Sequence, residues 1–182
     1  MTSPGFHPVP MRLALDPHFR PCEAQAGEEI YPNGIFEFNI SRLLSYIGTS
    51  GKFRAEPVLL AEIHYGGTSP GLNELTIAAA DVSRPVILAE ISPSRYNLID
   101  GNHRVAKARR EGLPSILAYR VHCPEHVAFL TSARAYEKYV EYWNSKVDDI
   151  LGIRPKRRRT PSMRPTSESV PSDRQAKEPS SR

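Results

Sequence analysis

The chain has 182 residues, 40% of them hydrophobic, which suits one domain with a core plus some extra material. Cys22 and Cys123 are far apart and form no Cys-x-x-Cys pair, so no disulfide framework is read and a reduced, cytoplasmic setting is expected. No apolar run approaches the roughly 20 residues of a membrane span, and Met1–Phe6 lack the basic and apolar parts of a signal peptide, so no membrane partner is expected.

The net charge of +4 is unevenly placed. Residues 154–182 carry nine Lys/Arg against three Asp/Glu, whereas residues 1–153 carry 15 against 17. The basic pI near 9.2 therefore belongs to the tail and does not make the body a nucleic-acid binder.

Residues 1–34 are rich in proline and polar residues without a sustained period, and read as an extended arm along the body. Ile35–Ile40 alternates as a short strand. Apolar residues at 43, 44 and 47 predict a helix capped by Asn39 or Ser41 and stopped at Gly48. Pro57–Ile63 reads as a strand, Gly66–Gly71 as a loop, and 72–80 as a modest helix. Pro85–Ile91 is the most strand-like run, and Ser92-Pro93-Ser94 turns it into a second strand over Tyr96–Ile99. A helix follows and stops at Gly112-x-Pro114, then a strand over 116–121. Thr131 is expected to cap a last helix over 132–147, whose Tyr136, Tyr139, Val140, Trp143 and Val147 form one apolar face. Those aromatics read as core rather than as a base-stacking platform. The domain is placed at 35–152, and residues 153–182 read as a disordered basic tail rich in Pro and Ser.

Chemistry concentrates where the second strand of the hairpin stops at Asp100-Gly101 and a helix opens with Asn102-His103-Arg104. The first N–H groups of a helix lack partners and its dipole is positive there, and glycine lets the chain turn tightly beside an anion. His103 and Arg104 add cationic side chains, and Lys107, one helical turn beyond His103, either reaches the same anion or is a solvated partner for Glu111. Asp100 serves either as a Mg²⁺ ligand, as a group orienting His103, or as the helix cap. Glu90 and Glu62, at the ends of predicted strands, are the other carboxylates available to polarise water, and Arg42 is a candidate second phosphate contact. His122-Cys123-x-x-His126 with Cys22 lacks the paired knuckles of structural zinc, and no metal is assigned there. Lys156–Arg159 either contacts DNA phosphates or is a solvated run.

The order from Pro85 to Val121 (Pro-led strand, hairpin, Gly101-x-x-Arg104 turn, helix, Gly-Pro stop, strand) resembles the ParB/sulfiredoxin-like superfamily. The match is strong over about a quarter of the chain and loose over 35–121. The resemblance implies an α/β fold, a small mixed sheet with flanking helices and a C-terminal helix, that binds nucleotide phosphates at this turn. Gly101 then matches the motif glycine, with Asn102 beside it, and His103 and Arg104 match the pair that contacts phosphate in sulfiredoxins. Asn102 stands where sulfiredoxins carry their reactive cysteine, and a carboxamide cannot replace a thiol nucleophile. The expected ligands are ATP or CTP with Mg²⁺. The expected function is a Mg²⁺-dependent hydrolase, an NTPase or DNA nuclease, acting in plasmid or phage conflict such as fertility inhibition. Its catalytic set would be Asp100, His103, Arg104 and Glu90. The alternatives are a non-catalytic nucleotide-sensing, nucleic-acid- or protein-binding module, and a small-molecule kinase.

Overall fold

Val86–Ser92 is buried on both faces, and the rest of the chain is layered around it. The computed structural model describes residues 10–34, 36–64 and 72–153. In chain order it contains β1 (Ile30–Asn33), β2 (Phe36–Asn39), α1 (Ile40–Ser50), β3 (Glu56–Leu59) and α2 (Glu74–Ala79). Next come β4 (Val86–Ser92), β5 (Arg95–Asp100), α3 (Asn102–Arg110), β6 (Ser115–Val121), a 3-10 helix (Glu125–Phe129) and α4 (Ala133–Leu151).

The architecture is mixed α/β. One sheet has the order β3-β6-β4-β5, with β4 parallel to β6 and the other neighbours antiparallel. β1 and β2 form a separate antiparallel pair. The strand period of two divides β4 between two cores. Val86 and Leu88 face α3, packing with Leu98, Val105, Ala108, Ile116 and Ala118. Ile87, Ala89 and Ile91 face the other way, onto Phe38, Leu43, Tyr139 and Trp143 of β2, α1 and α4.

The aromatic face of α4 lies in this second core, as its spacing predicts. The segment before β1 runs along the same helix. Trp143 Nε1 donates to the Met11 carbonyl at 3.0 Å, Asn144 bonds both backbone groups of Leu13, and Phe19 stacks on Tyr136 at 4.0 Å.

Several boundaries differ from the sequence reading. β1 lies inside the stretch read as arm, because its partner β2 satisfies its backbone through pairing that composition does not reveal. α1 continues through Gly48 to a left-handed Gly51. An interior glycine costs only about 1 kcal/mol, and Ile40, Leu43 and Ile47 are buried on the same helix. β3 ends at Leu59, and residues 60–63 turn instead. Ser132, not Thr131, caps α4 by accepting from Ala135 N. Loop 66–71 and the tail from 154 lie outside the described residues. Among the described residues no helix is long and apolar enough to cross a membrane.

Candidate functional site

The Gly101 turn joins β5 to α3 at the end of the sheet where β4 begins. Gly101 occupies the helix N-cap position with φ 98° and ψ 24°, a left-handed conformation that favours glycine. Packing reinforces this choice. A Cβ there would sit 2.4 Å from Val86 Cγ1 and 2.9 Å from Arg104 Nε. The glycine is thus required by the side chains beneath it as well as by the backbone.

Beside the turn opens a cleft of about 510 Å³. Asp100, Gly101, Asn102, His103 and Arg104 form one wall, with Glu29 and Tyr31 near β1 and Thr76, Asp81 and Arg84 around α2 completing it. The turn residues singled out in the sequence are therefore gathered at one cavity.

Several candidate residues, at the turn and away from it, take roles other than those expected. Asp100 does not cap α3, because Gly101 takes that position; its Oδ2 instead accepts from Arg104 Nη2 at 2.5 Å. Both side chains of this pair are only 13% exposed. Arg104 Nε is buried with no hydrogen-bond partner, a local cost accepted beneath the turn. Arg104 thus supports the turn from inside.

Lys107 does not reach toward the turn. Its Nζ donates to the carbonyls of Ala78 and Ala80 at 2.8 and 2.9 Å, closing the C-terminal end of α2. A cation at a helix C-terminus meets unpaired carbonyls and the negative dipole end, which fixes it there.

Glu90 lies at the opposite end of β4. It pairs across the sheet with Tyr96, whereas Asp100 pairs with Ile87. Three residues of strand separate the two positions, about 10 Å. Its carboxylate accepts from Ser94 N at 2.8 Å and Cys123 N at 3.2 Å, tying the β4–β5 turn to the end of β6. Glu62 is also elsewhere, 3.4 Å from Arg120. Arg42 is paired with Glu28, which also accepts from Asn39 Nδ2.

His122, Cys123 and His126 serve packing and hydrogen bonding. His126 is fully buried, with Nε2 3.1 Å from the Tyr139 hydroxyl and Nδ1 3.2 Å from the His122 carbonyl. Burial pulls its pKa down to about 4. Burial likewise pushes the Cys123 thiol up to about 11. Among the described residues no three His, Cys, Asp or Glu side chains converge as a metal site.

The cleft also contains residues the sequence reading passed over. Asp81 accepts from Ser83 N at 3.0 Å and Ser83 Oγ at 2.6 Å, and these bonds hold its carboxyl below the usual range, with Arg84 adding to the effect. This Asx turn, closed by Arg84 N donating to the Asp81 carbonyl, places Arg84 at the cleft just before β4. The signal was present as Asp-x-Ser ahead of the Pro-led strand. Lys156–Arg159 lies outside the described residues.

No family model, curated protein or solved structure matches the chain. The likeness to the ParB/sulfiredoxin-like group therefore rests on the motif residues and their order.

Proposed function

We propose that the chain is a nucleotide-phosphate-binding protein of the ParB/sulfiredoxin-like type, with the phosphate held at the first turn of α3. One observation carries this reading. α3 opens from a left-handed glycine that provides no side-chain cap, directly into a cleft large enough for a mononucleotide. An uncapped helix start offers N–H donors and positive potential to an anion. The remainder of the ligand would lie against Tyr31, Ala79 and Ala80.

The test is titration of the full chain with ATP and with CTP, each with Mg²⁺, by calorimetry. Saturable binding that inorganic pyrophosphate displaces supports the reading. No heat from either nucleotide at millimolar concentration refutes it.

A second reading is Mg²⁺-dependent hydrolysis, since Asp100, Asp81 and Glu29 line the same cleft without converging on one point. Oxygen donors of this kind suit Mg²⁺, and Asp100 and Asp81 are the residues that would hold it. The ion, when bound, would neutralise phosphate charge. Release of phosphate from ATP or CTP, or nicking of supercoiled plasmid, that requires Mg²⁺ and is lost in Asp81→Asn supports this reading. Tight binding without turnover leaves the chain a nucleotide sensor.

A further inference from the structure

The cleft has several cationic residues in or beside it, and they are not equally available. Arg104 spends its guanidinium on Asp100 within a pair that is largely covered. Lys107 spends its ammonium on two carbonyls of α2. Arg109, farther along α3, donates to the Leu60 and Ile63 carbonyls, and Arg110 pairs with Glu74. Each of these side chains fastens α3 to a neighbouring segment. Arg84 is different. It is exposed and lines the cleft, and among the described residues its guanidinium makes no hydrogen bond or ion pair, acting on Asp81 only through its charge. It is also held in place, since the Asp81–Ser83 turn fixes its backbone and Val86, two residues on, packs beneath Gly101.

We infer that Arg84, rather than the motif Arg104 or Lys107, is the arginine that binds the ligand's phosphate in this cleft. The inference rests on the phosphate-binding reading above and names the residue that carries it. Removing Arg104 from its carboxylate would leave Asp100 uncompensated in a covered position, which is costly. An exposed arginine whose guanidinium is in no hydrogen bond or ion pair pays no such cost and can give phosphate a bidentate contact. Arg104 is then a positioning residue that keeps the Asp100–Gly101 turn in shape.

The test uses the full chain and ATP with Mg²⁺ as the probe, with affinity and thermal melting measured on the same samples. Arg84→Ala is expected to weaken ATP at least tenfold, the scale of one lost charge-assisted hydrogen bond, without moving the melting temperature. Arg84→Lys should recover part of the loss, and the salt dependence of binding should flatten in Arg84→Ala. Arg104→Ala should lower the melting temperature, as expected when a covered ion pair is broken. If wild type binds ATP and Arg84→Ala binds it equally well, the assignment to Arg84 is overturned while phosphate binding stands. If wild type binds no ATP, both fall. Loss of affinity with an equal loss of melting temperature in Arg84→Ala overturns the assignment too, because a contact made only with ligand leaves folding untouched.

Discussion

Replacing Gly101 with alanine separates two reasons for a glycine at this turn. The first is backbone: a φ of 98° in an L-residue costs about 1–2 kcal/mol. The second is contact: the new methyl would lie 2.4 Å from Val86 Cγ1 and 2.8 Å from Val86 Cβ. Val86 is fully buried in β4, paired with Ala118 of β6, and has little room to retreat. Overpacking of this kind costs typically about 1–3 kcal/mol, so Gly101→Ala is expected to lose about 2–5 kcal/mol. That is a large share of the roughly 5–15 kcal/mol a domain possesses.

Urea unfolding of Gly101→Ala, Val86→Ala and the double variant measures the contact directly. Val86→Ala deletes the nearest methyl but leaves Cβ, so the double variant should recover about 1 kcal/mol relative to the sum of the singles. Gly101→Asn is the companion test. Asparagine tolerates the left-handed region, so a pure backbone effect would make it milder than alanine, whereas the contact makes the two equally harmful. Additivity within about 0.5 kcal/mol, together with a benign Gly101→Asn, would falsify the packing argument.

Stability should fall on mild acidification because His126 is buried neutral. Its folded pKa of about 4 lies below its ordinary 6.5, so the unfolded chain binds the extra proton first. The contribution is complete above pH 6.5, erodes as pH drops toward 4, and amounts to about 3 kcal/mol at most. Urea midpoints at pH 7.5 and 5 should differ in wild type and converge in His126→Gln; an unchanged slope in that variant sinks the account. Glu90→Ala leaves the Ser94 and Cys123 N–H groups without their acceptor and should destabilise by about 2–4 kcal/mol. Nucleotide affinity, read where the variant is folded, should not change, because Glu90 sits at the far end of β4. Lys107→Met should cost about 1 kcal/mol and speed amide hydrogen exchange in α2, since Ala78 and Ala80 lose their donor. Exchange unaltered in α2 would show that Lys107 does not hold that helix end.

Local periodicity made most of the elements legible. The apolar face of α4, the continuous apolar run of β4 and the strand–glycine–helix passage at Gly101 all depend on near neighbours in sequence, and all are present. So did the location of the candidate site, because a glycine turn entering a helix is defined within a few residues. What spacing could not state was where each charged side chain ends. Lys107 is 27 residues from Ala80, Arg109 is 49 from Leu60, and Glu90 is 33 from Cys123. Those partners are chosen by how α2, the 60–63 turn and β6 pack around α3 and β4. Only tertiary structure, therefore, separated the cations that bind the fold together from Arg84, which faces the cleft. The physical reason is that a long cationic side chain goes to whichever unpaired carbonyl or carboxylate folding brings within its reach.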